Sequence, residues 1–92
     1  MDTERAIIER NADIFKALSN PVRLCIVKGL LSTRGCTVTH MQSCIDSSQS
    51  TLSQHVGKLK SLGIIKGERI GKEIIYKVSN EEVIKIINIL FE

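Results

Sequence analysis

The sequence predicts a mostly helical α+β fold, a winged helix-turn-helix with elements in the order α-α-α-α-β-β-α, forming one domain over residues 1–92. Three observations predict it. Two helix-compatible stretches meet at a short polar break, Asp46-Ser47-Ser48, which is the pattern of two helices joined by a tight turn. Two runs of alternating β-type residues follow on either side of Gly71, and such a pair reads as a hairpin. Both ends of the chain have helical periodicity and carry more apolar residues than one core can use.

The first helix is expected over Glu4–Ala17, where Ile7, Ile8, Ile14, Phe15 and Leu18 recur at intervals of three and four. Asn20-Pro21 starts the second: Asn accepts from free amides, and proline has no amide to leave unpaired in a first turn. Val22, Cys25, Ile26, Leu30 and Leu31 continue it until the polar run Ser32-Thr33-Arg34-Gly35. Thr37 opens a short third helix with Val38, Met41, Cys44 and Ile45 inward. Ser48 caps a fourth, Gln49 to Leu62, closed by Gly63. Strands are expected at Ile64–Arg69 and Glu73–Val78 around the tip Ile70-Gly71-Lys72. Ser79 and Glu82 have capping-box spacing ahead of a last helix, Val83–Phe91. That helix is apolar almost all round, so it needs a second partner besides its own core, most simply another subunit.

Composition sets the limits. Hydrophobic residues make up 42% of the 92, aromatics 3%, and there is no Trp. The core is therefore aliphatic, and the chain is too apolar to stay disordered. A domain this size buries only about 60% of the surface its unfolded chain exposes, so pairing would help it. No apolar run approaches the roughly 18 residues of a membrane span, and Met1-Asp2-Thr3-Glu4 does not read as a signal peptide. Three cysteines without framework spacing point to a reducing, cytoplasmic setting.

The net charge is +3, but residues 57–78 alone carry +4. A local basic stretch on a near-neutral chain fits a polyanion. The fourth helix sharpens this. At about 100° per residue, Leu52, Val56, Leu59 and Leu62 fall on one side, and Ser50, Gln54, Gly57 and Ser61 on the other, with Gln49 and Ser53 at the edge. Glutamine can bond adenine through two atoms, and serine can donate to or accept from either base edge. The first turn of a recognition helix touches bases, which here is Gln49, Ser50 and Thr51; Ser53 and Gln54 join them as candidate base contacts through the polar side and the resemblance described below. Lys58, Lys60, Arg69 and Lys72 are candidate phosphate contacts, which set affinity rather than sequence; Lys66 ranks below them. His55 falls near the apolar side and is expected to pack or hydrogen-bond between helices, and His40 to be solvated.

The stretch Ser48-Gln49-Ser50-Thr51-Leu52-Ser53-Gln54-His55-Val56 resembles the recognition helix of the ArsR/SmtB repressors. The resemblance extends through Ala17-Leu18-Ser19-Asn20-Pro21-Val22-Arg23-Leu24 and Gly71-Lys72-Glu73-Ile74-Ile75-Tyr76-Lys77-Val78-Ser79, covering nearly the whole chain. It looks nearest to the short, non-metal branch that includes PagR and HlyU. It implies a homodimer built on the first and last helices, which assigns Ile7, Ile8, Ile14, Phe15, Ile84, Ile87, Leu90 and Phe91 to the dimer interface. It also implies repression from an inverted-repeat operator in double-stranded DNA, with a wing reaching the flanking minor groove.

The family's metal-sensing members carry a Cys-Val-Cys pair on the third helix. Thr37, Val38 and Thr39 stand at those positions here, and hydroxyls are poor ligands for soft metals. The family's other site uses Asp and His on the last helix, and Val83–Phe91 contains neither. No metal, cofactor, membrane or small-molecule substrate is expected. Cys25 and Cys44, among apolar neighbours, are expected to be buried, and Cys36 to be the exposed thiol. One alternative is a thiol- or redox-responsive sensor using Cys25, Cys36 or Cys44. Another is a protein-interaction module, which the uncharged Gln/Ser face and the basic stretch disfavour. An enzyme is not expected: there is no Gly-rich phosphate loop and no carboxylate pair, and Ser53 and His55 point to different faces.

Overall fold

The computed structural model describes residues 2–92. It has five helices and one hairpin: α1 (Asp2–Leu18), α2 (Pro21–Thr33), α3 (Val38–Cys44), α4 (Gln49–Ser61), β1 (Ile65–Ile70), β2 (Glu73–Val78) and α5 (Glu81–Leu90). The order is the one the sequence predicts, and most boundaries follow from local chemistry. Asn20 accepts from the Val22 and Arg23 amides at 2.9 and 3.1 Å, which starts α2 at Pro21. Thr37 accepts from the His40 amide at 3.1 Å to start α3. Ser48 accepts from the Thr51 amide at 3.1 Å to start α4. Each cap satisfies an amide that has no partner within its helix.

The last helix departs from expectation. Its cap is Asn80, whose side chain accepts from the Val83 amide at 3.0 Å. Ser79 is used otherwise: its hydroxyl donates to the Gly63 carbonyl at 3.2 Å, and its amide to Ile64 at 2.9 Å. Pinning Ser79 to the α4–β1 junction leaves the capping task to the next residue.

The hairpin pairs Ile65 with Val78 and Ile70 with Glu73, leaving Gly71 and Lys72 as a two-residue turn. Gly71 has φ +66°, a conformation in which a side chain is strained. Gly67 lies opposite Tyr76, where an added Cβ would come within 2.9 Å of the tyrosine ring and 2.8 Å of Ile74. The wing is closed over by that ring. Its base has a third partner, because Cys36 and Tyr76 exchange backbone hydrogen bonds of 3.1 and 2.9 Å. The segment that leads into α3 is thereby fastened to β2.

The core is aliphatic and is drawn from every helix. Ile26, Val27 and Leu30 of α2, Leu52, Val56 and Leu59 of α4, Ile64 and Ile65 at the head of the wing, and Val83 of α5 are all buried. From α1 only Ile14, Ala17 and Leu18 join it. Ile14 and Ile87 are themselves buried in this core, at 6% and 2% exposure. That corrects their assignment to a dimer surface: the helical stripe that made them candidates is the one facing inward. The expected burial of Cys25 and Cys44 is also corrected, since both are exposed, and Cys36 is the half-buried thiol. Cys25 lies well round the α2 cylinder from Ile26, Val27 and Leu30, while the bridge to Tyr76 shields Cys36.

Candidate nucleic-acid interface

Helix α4 buries Leu52, Val56 and Leu59 and leaves Gln49, Ser50, Ser53, Gln54, Gly57, Lys58, Lys60 and Ser61 exposed. Lys60 projects along the same edge as Gln49 and Ser53, and Lys58 along the opposite edge, at about 100° per residue. There is no acidic residue from Ser47 to Gly67, so the lysine charge on this face is not offset locally. Thr51 differs from its neighbours. It is half-buried, and its hydroxyl accepts from Ser48 at 2.9 Å, as part of the helix cap.

Arg69 and Lys72 are exposed on the wing. The register places Arg69 opposite Ile74, on the Tyr76 face of the hairpin, while Lys66 pairs with Lys77 on the other face. Ile70 and Ile74 are exposed at 57% and 41%, so the wing tip is apolar between its cations. In the sequence, only their place beside the turn marks these two isoleucines.

His55 is half-buried, and its Nδ1 lies 3.3 Å from Nη1 of Arg23. The guanidinium can only donate, so Nδ1 is the acceptor there. Arg23 also donates through Nε to the Ala17 carbonyl at 2.7 Å. This is the expected role for His55, a hydrogen bond between helices. His40 is exposed.

A second surface lies away from α4. Ile7, Ile8 and Phe15 on α1, and Ile89, Leu90 and Phe91 at the end of the chain, are between 46% and 69% exposed. Residues of the two helices line a groove of about 200 Å³: Asn11, Ile14 and Phe15 from one and Glu82, Val83 and Ile86 from the other. Ile84 is half-buried. The Lys28 ammonium stands 5.2 Å from the centre of the Phe91 ring. Ile89, the most exposed of these residues, is not among the interface candidates named from the sequence.

A helix-turn-helix domain model matches residues 18–68. The transcriptional repressor PagR of Bacillus anthracis is 35% identical over 83 residues, covering 90% of this chain and 83% of PagR. Its crystal structure superposes with a TM-score of 0.86 at 34% identity, covering 94% of this chain and 98% of that one. The chain belongs to the ArsR/SmtB family. The repressor SmtB of Mycobacterium tuberculosis is 31% identical over 83 residues, and the match spans 90% of this chain but 61% of SmtB. A homodimeric winged helix-turn-helix DNA-binding domain from Mycobacterium bovis gives a TM-score of 0.86 at 26% identity, covering 98% of this chain and 82% of that one.

At the positions of the ArsR/SmtB thiolate pair, Thr37 spends its hydroxyl on the α3 cap, and with Val38 and Thr39 it lines a groove beside Lys72, Glu73, Ile74 and Tyr76. Among the described residues, no three His, Cys, Asp or Glu side chains gather as metal ligands. No helix among them is long and apolar enough to cross a membrane. Burial raises the pKa of Cys36; a hydrogen bond from Thr33 opposes the shift, and the nearby Cys44 adds to it.

Proposed function

We propose that this chain is a sequence-specific DNA-binding transcriptional repressor that acts as a homodimer on an inverted-repeat operator. The observation that carries the reading is the exposed side of α4: glutamine, serine and glycine, edged by Lys58 and Lys60 and free of acid. Such a face can enter a major groove and read base edges. Gln49, Ser50, Ser53 and Gln54 are the base-reading group, with Thr51 supporting it through the cap. Lys58, Lys60, Arg69 and Lys72 hold phosphates. Ile7, Ile8, Phe15, Ile89, Leu90 and Phe91 meet a second copy, which sets two α4 helices about 34 Å apart on one side of a duplex. The printed descriptions of PagR and SmtB as repressors, and of the M. bovis domain as homodimeric, support this reading. This reading calls on no metal and no catalytic step.

The test is a binding titration of the purified chain against the DNA upstream of its own gene, with unrelated duplex as competitor. Light scattering on the same sample gives the mass. Preferential binding by a dimer is expected; a stable monomer, or equal affinity for all duplexes, would remove the reading.

A further inference from the structure

Two parts of the chain far apart in sequence face each other across one groove. The start of α3 supplies one wall, with Thr37, Val38 and Thr39, and the wing supplies the other, with Lys72, Glu73, Ile74 and Tyr76. The space between them is about 270 Å³ and open to solvent. The walls are tied together at their base, because Cys36, the residue before Thr37, exchanges backbone hydrogen bonds of 3.1 and 2.9 Å with Tyr76. On the wing, Gly67 leaves room for Ile74 and the Tyr76 ring, where an added Cβ would come within 2.8 and 2.9 Å of them. The groove is therefore formed without a ligand. Its polar groups are mostly donors. Thr37 accepts from the His40 amide at 3.1 Å, which leaves its hydroxyl hydrogen to donate. Thr39 and Lys72 are exposed, and the Tyr76 phenol can donate as they can. Val38 and the 41% exposed Ile74 put apolar surface between these groups. Among the lining residues only Glu73 brings a carboxylate.

We propose that this groove seats the sugar–phosphate strand that separates the major groove entered by α4 from the minor groove beside the wing. The inference rests on the repressor reading and adds a strand seat to it. In a helix-turn-helix the first helix crosses the DNA backbone while the second enters the major groove. Here the first is α3, and the wing stands on its far side, so a strand that passes α3 runs between the two. The donors suit it. Threonine, tyrosine and lysine all hydrogen-bond phosphate oxygens, and such contacts fix register without reading sequence. Thr39, Lys72 and Tyr76 donate to phosphates, with Thr37 behind them, and Val38 and Ile74 pack on the apolar edge of a deoxyribose. Arg69, opposite Ile74 on the same face of the hairpin, adds a second cation. A small molecule fits less well, because its pockets hold roughly 300–1,000 Å³ and enclose most of the ligand, whereas a continuous strand needs an open channel. Glu73 acts against the strand: a carboxylate beside a phosphate repels it, which limits how tightly the seat grips any duplex.

The experiment compares the purified chain with its Thr39→Val, Tyr76→Phe and Glu73→Gln variants. Fluorescence anisotropy reads affinity for the upstream duplex and for an unrelated one, at low salt, where both are bound. Urea midpoints check folding, and ethylation interference locates the phosphates in contact. Thr39→Val and Tyr76→Phe each remove one O–H and keep the side-chain shape. Each is expected to weaken binding about three- to tenfold, by the same factor on both duplexes, with the urea midpoint unchanged. Glu73→Gln is expected to strengthen binding to both. The phosphates whose ethylation impairs the wild type between the α4 major groove and the next minor groove should lose that effect in Thr39→Val. Wild-type affinity in both Thr39→Val and Tyr76→Phe, a loss confined to the upstream duplex, or weaker binding by Glu73→Gln would overturn the inference. Should the wild type prefer no duplex, the repressor reading falls, and the variants' affinities for either duplex still decide whether a strand lies in the groove.

Discussion

Helices α4 and α5 solve the same packing problem and differ in what they leave over. Each buries one aliphatic stripe in the common core: Leu52, Val56 and Leu59 on α4, Val83 and Ile87 on α5. Outside that stripe α4 offers amides, hydroxyls and ammonium groups, whereas α5 runs out into Ile89, Leu90 and Phe91. Water solvates the first surface well, and it gains energy only where a partner matches its hydrogen bonds and charge. The second is costly in water whatever lies opposite, at about 25 cal/mol per Å² of apolar area. On the proposed reading, the contrast separates specificity from association: α4 would distinguish partners, and α5 would demand one.

The largest effect should come from charging the apolar side. Ile89→Glu with Leu90→Glu is expected to give a monomer by light scattering and to cost about a hundredfold or more in operator affinity, since a single half-site keeps only part of the contacts. A dimer that survives would move the interface off α5. Next, Leu59→Ala, on the buried side of α4, is expected to cost about 2–5 kcal/mol in a urea titration, as for other core leucines; a loss under about 1 kcal/mol would contradict its packing. Gln49→Ala and Ser53→Ala should each cost about 1–3 kcal/mol in operator binding with dimer mass and urea midpoint unchanged. Equal weakening on unrelated duplex would mean that these residues do not read sequence. The smallest change is expected from Arg69→Ala, which should lower the slope of log affinity against log salt by about 1; an unaltered slope would take that side chain off the phosphates.

Much of this architecture can be read from the chain because it is encoded locally. Asn20, Thr37 and Ser48 each act within three residues, so cap chemistry marks the helix starts without knowledge of the fold. The exposed face of α4 follows from a single periodicity. What escapes the sequence depends on distant partners. Ser79 loses its cap role to Asn80 because Gly63 and Ile64 compete for it. Cys36 is shielded because β2 returns to it forty residues later, at Tyr76. Ile14 and Ile87 share composition with Ile8 and Ile89, and only the packing sorts them between core and surface.

Arg23 gives the molecule a mechanical property. One planar cation donates from Nε to the Ala17 carbonyl in the last turn of α1 and from Nη1 to the ring of His55, in the middle of α4. The helix that exposes Ile7, Ile8 and Phe15 is therefore tied to α4 by side-chain hydrogen bonds as well as through the core. On the proposed reading, this link would pass a shift of α1 at a subunit contact on to the helix that meets the groove.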